Sequence, residues 1–372
     1  MTTAASPRRR LRTRLAAEAG ASLIELLIAM GVTTVIMGST LMGLADVAKS
    51  NDLILGLTDM NKGLRAAMDV IERDMLSVGS GLPPGHVVLI PSGNGSIQVK
   101  LPGPPGTTFK MPVGSLDIDA VIPGPKLGPK INGVDTDVVS VLMADNTFLD
   151  VSLTAVTSTS VTVAAGPDIA NGPDRVSPGQ LMMISKGSTT TLVEVTAINT
   201  NTRVLTFADG DSLNLNQSGA AAGNLAALNA AAPANTPSST RISRIRMISY
   251  YLDAVTDSQH PRLVRRINNG NPTSFDNTLG TAIATDVDNL TFTYDLNDGA
   301  TNPAHVAMTA ADQAVGGPCG SNACSTTQIR KINITVTARS RNTQAAKVTR
   351  DMRNTLTSQV AFRGMAFVDK YR

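Results

Sequence analysis

The fold is decided by the stretch Gly20-Ala21-Ser22-Leu23-Ile24-Glu25-Leu26-Leu27-Ile28-Ala29-Met30, whose apolar character continues to about residue 44. This run of roughly 23 apolar or small residues is long enough to cross a bilayer as a helix of about 20 residues. Five arginines precede it, at positions 8, 9, 10, 12 and 14. Because positive residues stay on the cytoplasmic side of a membrane, we expect a single-pass chain with a cytoplasmic N-terminus and an external head.

Glu25 is the charged residue inside this apolar run. A carboxylate at the centre of a membrane helix costs about 2.5–3.5 kcal/mol on insertion scales, so an acid within a span is by default a functional hypothesis. An ordinary signal anchor, with Glu25 solvated near the interface, is the alternative. A cleavable secretory signal is disfavoured, because the apolar core exceeds the about 7–15 residues typical of such signals.

The basic leader, Gly20, the small apolar stretch after it and Glu25 together resemble the type IV prepilin signal. In that family, prepilin peptidase cleaves after the glycine and N-methylates the new first residue. The resemblance therefore implies cleavage between Gly20 and Ala21 and methylation of Ala21, which stands where the family usually has Phe. It also implies that Glu25 neutralises the new amino terminus of an adjacent subunit and sets the axial register of assembly.

We expect the helix to continue beyond the membrane. Apolar residues recur at spacings of three and four at positions 53, 57, 60, 64, 68, 71 and 75, which is typical of an amphipathic helix. Charged residues fall mainly off this stripe. A helix over residues 22–77 would be about 84 Å long at 1.5 Å per residue. Its first half would lie in lipid or against other subunits, and its second half would pack on the head.

The remainder of the chain is typical of β structure. Short Val-, Ile- and Thr-rich runs bounded by Gly, Asn or Asp predict strands at 137–143, 160–164, 181–185, 190–198 and 204–207. Longer runs at 241–253, 262–268, 286–296 and 328–339, with a closing segment at 355–367, predict one antiparallel sheet. The Ala-rich stretch 218–239 is interpreted as a flexible loop. The fold class expected is α+β: a long N-terminal hydrophobic and amphipathic helix packed on an antiparallel head, pilin-like, with a β-rich insertion.

We expect five segments along the chain. They are a cleaved basic leader at 1–20, a transmembrane and assembly helix at 21–78, a Gly- and Pro-rich connecting region with the first strand at 79–149, a β-rich insertion with the Ala-rich loop at 150–240, and a C-terminal antiparallel sheet at 241–372. Late stretches at 248–252, 263–266, 287–294, 329–340 and 353–354 are similar to W-type minor pilins and to J-type pseudopilins of type II secretion systems.

Composition excludes several classes of function. The leader carries five Arg and one Glu, and the remaining residues carry 27 basic and 28 acidic side chains, so the net charge of +3 comes from the leader. No nucleic-acid contact is therefore expected. Neither a Gly-x-Ser-x-Gly elbow nor a phosphate-binding loop is present, and the three His are scattered. We expect no catalytic residues, no cofactor and no enzymatic activity.

Cys319 and Cys324 are the two cysteines. In an extracytoplasmic head they would form a small disulfide loop, with two free thiols as the alternative. A zinc site is disfavoured because no His is spaced with them as a ligand. Acid-rich turns at 209–211 and 295–299 contain oxygen ligands of the type that Ca²⁺ prefers, but Asp, Asn and Gly are also ordinary turn formers. No metal site is expected.

These features predict a minor pilin or pseudopilin, a low-copy structural subunit that primes or caps a type IV pilus. Its partners would be prepilin peptidase, other minor and major pilins or pseudopilins, the inner-membrane assembly platform and membrane lipid. It would reside in the bacterial inner membrane, with the head periplasmic, and then at the filament tip. A J-type pseudopilin of a type II secretion system is the nearer alternative. A membrane-anchored surface-binding protein or adhesin is the alternative from another class.

Overall fold

The computed structural model describes residues 22–83, 85, 87–91, 97–107, 109–112, 114–187, 189–230, 240–268, 280–340 and 352–365. The predicted cleavage site, Gly20 and Ala21, lies outside the described residues. Two compact units are present, one ending at Leu55 and the other beginning at Gly56. The first unit consists of helix in its described part, and the second contains every strand among the described residues.

Helix α1 (Leu23–Leu76) has 54 residues, which at 1.5 Å per residue is about 80 Å. Its bounds lie within one residue of the predicted 22–77, because the apolar run and the following stripe are both local signals. At its start, Ser22 O accepts hydrogen bonds from the backbone N–H groups of Glu25 and Leu26, at 2.9 and 3.1 Å. At its end, a turn through Gly81 (φ 68°) brings the chain so close to a strand that a Cβ on Gly81 would lie 2.5 Å from Ala144 Cβ.

The head is built from strands, with one short helix among the described residues. The elements are β1 (Val87–Leu89), β2 (Asp117–Asp119), β3 (Val121–Gly124), β4 (Val138–Ala144), β5 (Val151–Val156), β6 (Ser160–Val163), β7 (Leu181–Lys186), β8 (Thr189–Glu194), β9 (Ala197–Asn199), β10 (Val204–Thr206), α2 (Leu225–Ala230), β11 (Thr240–Asp253), β12 (Arg262–Ile267), β13 (Thr281–Thr285), β14 (Val287–Leu296), β15 (Ile329–Arg339) and β16 (Arg353–Ala361). Every strand pair among the described residues is antiparallel. The predicted α+β fold class is therefore confirmed.

Strand β11 organises the larger of the sheets. This sheet has eleven strands, and β11 pairs with β4, β5, β7 and β12 at different parts of its length. The predicted insertion at 150–240 contains β5 to β10, and the pairing of β7 with β11 from Thr240 to Ile245 ties it to the rest of the head. The stretch 79–149, predicted to be mainly connecting, also contributes β1 to β3 before β4.

The predicted single C-terminal sheet is wrong, because its strands divide between two sheets. Strands β11 to β13 belong to the eleven-stranded sheet, whereas β14, β15 and β16 form a separate three-stranded sheet. The change occurs at Asp286, which separates β13 from β14 and has a left-handed backbone with φ 58°. Asp tolerates this conformation better than most residues, and it redirects the chain from one sheet into the other.

The second part of α1 shares a buried core with the three-stranded sheet and with strands of the eleven-stranded sheet. Leu64, Ile71 and Met75 are at most 1% exposed and lie in one buried cluster with residues of β14 and β15, including Phe292 and Ile332. The predicted apolar stripe is therefore core from residue 64 onward. Burial alternates along β14 from Leu290 to Leu296, as expected for a strand with one face on a core.

Two predictions about loops and ends are corrected. Within the stretch 218–239, predicted as a flexible loop, α2 buries Leu225 and Leu228 against the β5–β10 region, and 231–239 lies outside the described residues. The closing strand β16 ends at Ala361 rather than at 367, because a single 3₁₀ turn (Arg363–Met365) follows and buries Met365 in the core. Both differences arise from apolar contacts with distant residues, which the local pattern does not contain.

Candidate membrane and assembly helix

The first part of α1 presents an apolar surface to its surroundings. From residue 23 to 44 its large apolar side chains are more than half exposed, for example Leu23 at 78%, Val35 at 72% and Met42 at 73%. Contiguous apolar surface of this extent marks a membrane or protein interaction site. These 22 residues span about 33 Å as a helix, close to the roughly 30 Å hydrocarbon thickness of a bilayer. Among the described residues α1 is the one helix long and apolar enough to cross a membrane.

The hydroxyl groups within this apolar segment are satisfied by the helix itself. Thr33 and Thr34 donate to the carbonyls four residues earlier at 2.7 Å, and Thr40 donates to Ile36 O at 2.6 Å. Ser39 donates to the same carbonyl at 2.9 Å. Because an unpaired polar group costs several kcal/mol in hydrocarbon, this internal pairing makes the segment compatible with lipid.

Three glycines leave parts of the helix surface in the same segment without a side chain. Gly31, Gly38 and Gly43 have no heavy atom within 4 Å of the position that a Cβ would occupy, apart from the helix's own neighbouring backbone. Each glycine costs about 1 kcal/mol of helix stability relative to Ala. Small residues allow another helix to approach closely. The arrangement therefore suits a helix that packs against other helices.

Glu25 lies in the first turn of α1 and is exposed. An acidic side chain in the first turn interacts favourably with the positive end of the helix dipole, by about 0.3–1 kcal/mol in water. Among the residues that the structure describes, no ion pair or hydrogen bond engages its carboxylate. Its predicted partner, the amino group that cleavage would create at Ala21, lies outside those residues. The assembly role of Glu25 remains a prediction.

Charged residues return after residue 44 and mark the end of the apolar segment. Asp46 and Lys49 form an exposed pair at 3.5 Å, and Asp52 follows one turn later. Exposed pairs of this kind contribute little stability, typically about 0.3–0.5 kcal/mol at helical spacing. Their significance is positional, because charged side chains are expensive in hydrocarbon and inexpensive at its boundary.

Within the head, the last turns of α1 are held by a cluster of three polar side chains. Arg265 donates from Nε and Nη2 to the carboxylate of Asp74 at 2.6 and 3.2 Å, and the Tyr250 hydroxyl donates to the same carboxylate. Burial raises the pKa of the Tyr250 hydroxyl, and the adjacent Asp74 raises it further. The bonds to Asp74 raise the pKa of Arg265, although burial alone would lower it. The cluster therefore fixes the end of α1 on β11 and β12.

Two further polar contacts join α1 to β16. Ser358 donates to Glu72 Oε1 at 2.5 Å, and Asn354 donates to Asn61 Oδ1 at 2.5 Å. The sequence analysis placed the charged residues of this helix, Asp74 and Glu72 among them, mainly off the apolar stripe and did not predict these contacts. The position of Asp74 and Glu72 beside the apolar stripe indicated that they lie near the head. It could not identify their partners, which are 191 and 286 residues away in the sequence.

The connection between β14 and β15 is held by a disulfide. Cys319 and Cys324 are bonded, with their Cα atoms 5.3 Å apart, and the described residues contain no free cysteine. Both cysteines are buried in the core cluster that includes α1. Just after the loop, Ser325 caps a short 3₁₀ turn with Gln328 in a reciprocal capping box. The disulfide therefore closes a short loop within the β14–β15 connection and packs into the core of the head.

In the acid-rich turns, the carboxylates accept hydrogen bonds from backbone N–H groups of nearby residues. Asp298 accepts from the backbone N–H groups of Ala300 and Asn302, and these bonds together with the one from Thr301 lower its pKa to about 2. Asp211 accepts from three backbone N–H groups, those of residues 213, 215 and 216. Within the described part of the chain no group of three or more His, Cys, Asp or Glu side chains is arranged to hold a metal ion.

Comparison with known proteins identified no relative of this chain. No protein-family model, no curated protein and no solved structure matches this chain. The layout itself, a long N-terminal apolar helix followed by a β-sheet head, is compatible with that of a pilin.

Proposed function

We propose that this chain is a minor pilin or pseudopilin, a low-copy structural subunit that primes or caps a type IV pilus. The observation that carries the proposal is the division of α1 into two parts of opposite character. From 23 to 44 its apolar side chains are exposed, and from Leu64 onward its apolar stripe is the core of a β-sheet head. A continuous helix of this kind is an anchor that can leave lipid and pack into a bundle while remaining attached to a folded domain.

The exposed part of the helix suits both environments that such a subunit would meet. Its hydroxyls are paired with its own carbonyls, so it tolerates the bilayer. Its glycines permit close helix–helix contact after extraction from lipid. Glu25, near the membrane-embedded start of the helix, would then pair with the amino terminus of a neighbouring subunit. The basic leader would orient the chain with the head in the periplasm.

The size of the head favours the tip over the shaft of a filament. The described part of the head contains sixteen strands in three sheets, and residues of two of these sheets share a buried cluster with the end of α1. A bulky head fits poorly into a closely repeating helical shaft, where each subunit contacts several identical copies. A terminal position requires contacts on one side only. We therefore assign the chain to initiation or capping, with the other pilins, prepilin peptidase and the inner-membrane assembly platform as partners.

The direct test is the intact mass and N-terminal sequence of the protein from membranes, with and without prepilin peptidase. We expect a product that begins at methylated Ala21 and depends on the peptidase. A chain that retains Met1 in both strains would contradict the proposal and would identify an ordinary signal-anchored protein.

Assembly is tested separately by Glu25→Gln, with Asp52→Asn as the matched control. Both changes remove one exposed carboxylate from α1, but Asp52 lies beyond the apolar segment. We expect Glu25→Gln to insert into membranes normally and to be recovered with sheared filaments at least about tenfold less, the factor that loss of roughly 1.4 kcal/mol produces. Asp52→Asn should be recovered like the wild type. Equal recovery of both variants would remove Glu25 from assembly.

A J-type pseudopilin of a type II secretion system has the same anchor and the same cleavage chemistry. The two machines are distinguished by which partners crosslink to the chain and by which activity its deletion abolishes. Loss of secreted enzymes with filaments intact would favour the pseudopilin. Loss of surface filaments with secretion intact would favour the pilus.

A further inference from the structure

A cavity of about 550 Å³ lies in the head at the start of β11. Its lining includes Arg244 and Arg246 of β11 and part of the connection between β6 and β7, with Arg175. Its volume lies within the range of about 300–1,000 Å³ that is typical of small-molecule sites. The cavity is remote in sequence from α1, and the proposed assembly role does not use it.

Arg244 is a buried lining residue that is bonded to other parts of the lining. Its side chain is 7% exposed and donates from Nη1 to the Arg175 carbonyl and from Nη2 to the Pro173 carbonyl, both at 2.7 Å. Nε lies 3.0 Å from Asp145 Oδ2, and the guanidinium stands over the Phe148 ring at 5.7 Å. These bonds hold the β6–β7 connection against β11. The cavity is therefore formed before any ligand enters.

The charges around the cavity are unbalanced. Arg246 donates from Nε and Nη2 to Asp145 Oδ2 at 3.1 and 2.8 Å, so Asp145 serves two arginines with one oxygen. Burial would raise the pKa of Asp145, but hydrogen bonds from Thr147 and the charges of Arg244 and Arg246 hold it below its ordinary value, and the carboxylate stays ionised.

Arg175 adds a third positive charge to the lining. Its side chain is exposed, and the other charged residues of the lining are Arg244, Arg246 and Asp145. The lining therefore carries a net charge of two positive units. Asp174, the next acidic residue along this connection, is outside the lining.

The neutral part of the lining mixes polar side chains with apolar surface. Asn171 and Gln180 supply amide groups, and Thr147 and Ser177 supply hydroxyls, while the lining contains no aromatic side chain. Gln180 Oε1 already accepts from the Ser177 N–H at 3.2 Å, and Thr147 Oγ1 already accepts from Arg244 Nη2 at 2.5 Å. The feature that favours a ligand is therefore the positive charge of the lining, which an anionic group would balance. Guanidinium forks match the planar oxygens of carboxylates and the oxygens of phosphates.

We propose that this cavity is a binding site for a small polar anion, a carboxylate or phosphate held by Arg175 and Arg246, with its neutral polar groups near Asn171 and Gln180. Arg244 is a positioning residue that keeps the β6–β7 connection in place. The inference is independent of the proposed pilin function, because it concerns the head alone.

The test is isothermal titration calorimetry on the full chain in a non-ionic detergent, with three probes: sodium glucuronate, glucose and inorganic phosphate. We expect an anion to bind and glucose to give no signal, since glucose has the ring and hydroxyls of glucuronate without the charge. Binding should weaken as NaCl rises, because the cavity mouth is open to solvent. Binding of glucuronate alone identifies a carboxylate site, and binding of phosphate alone identifies a phosphate site. Absence of binding by both anions up to about 10 mM, the millimolar limit of weak affinity, would overturn the proposal.

Arg175→Gln is the decisive variant, with Arg241→Gln as its matched control. Within the described residues the Arg175 side chain makes no hydrogen bond or ion pair, and its backbone carbonyl, which accepts from Arg244, is retained in the variant. Arg241 lies on the same strand as Arg244 but outside the cavity, where it contacts Asp150 and Ser152. We expect Arg175→Gln to weaken anion binding by about tenfold with an unchanged melting temperature, and Arg241→Gln to bind like the wild type. Equal affinities for the two variants would place the anion elsewhere.

Discussion

Replacement of Asp74 by Asn tests whether the polar cluster holds the end of α1 in the head. The carboxylate of Asp74 accepts two bonds from Arg265 and one from Tyr250, and the side chains of Asp74 and Arg265 are 14% and 22% exposed. Removing one partner of a buried ion pair costs about 3–5 kcal/mol, because the other charge stays buried without compensation. Since Arg265 is partly exposed, we expect the lower end, about 3 kcal/mol, for Asp74→Asn.

The free energy of unfolding is measured by urea titration of the full chain in non-ionic detergent, followed by the β-sheet signal in circular dichroism. Asp69→Asn is the matched control, because Asp69 lies on the same part of α1 and is exposed. A surface change of that kind alters stability by about 0.5 kcal/mol or less. Equal stabilities for the two variants would refute the role of the cluster.

A double-mutant cycle with Arg265→Met separates the ion pair from the packing around it. If the pair carries the effect, the double variant should be less destabilised than the sum of the two single variants, by about 1–3 kcal/mol. The methionine retains much of the apolar stem of Arg265 and removes the charge that Asp74→Asn would leave uncompensated. Strict additivity would mean that Asp74 and Arg265 act independently.

Two further predictions concern the head. Burial and the neighbouring Asp211 raise the pKa of Glu194 to about 7, above its ordinary 4.5, so the folded state prefers Glu194 protonated. Its stabilising contribution is complete below pH 4.5 and is lost as the pH rises through about 7, with an upper limit of about 3 kcal/mol. Glu194→Gln should therefore gain stability relative to the wild type between pH 4.5 and 7 in urea titrations, and a constant difference across that range would contradict the prediction. Replacing Cys319 and Cys324 together by Ser should lower the free energy of unfolding by about 2 kcal/mol, the value that the chain-entropy model gives for so short a loop, and the same variants under reducing conditions should match the reduced wild type.

Local pattern was sufficient for the longest elements, whereas the short strands β1 to β3, β5 and β13 and the helix α2 were not predicted. The bounds of α1, of β11 and of β15 lie within one residue of the predicted 22–77, 241–253 and 328–339. Each of these segments has an apolar period that is visible in a window of about 11–18 residues or less. The stripe on α1 also identified the side that becomes core, because burial follows helical spacing from Leu64 to Met75.

Pairing between elements was not predictable in the same way. The single predicted C-terminal sheet divides in two at Asp286, and β7 joins β11 across a long stretch of chain. The pattern of a strand indicates which of its faces is apolar, but it does not indicate which other strand it pairs with. The same applies to the polar clusters, since Asp145 and Arg246 are separated by 101 residues and Asp74 and Arg265 by 191.

The sequence by itself determined that this protein has a basic N-terminal stretch, an apolar segment of membrane length containing Glu25, and an amphipathic continuation of the same helix. These are properties of consecutive residues, and their physical causes, transfer from water and helical periodicity, act locally. Only the tertiary structure decided that Asp74 is bound by Arg265 and Tyr250, and that three arginines and one aspartate surround a cavity. Those arrangements depend on long-range packing, because charges are brought out of water together only after the strands that carry them have paired.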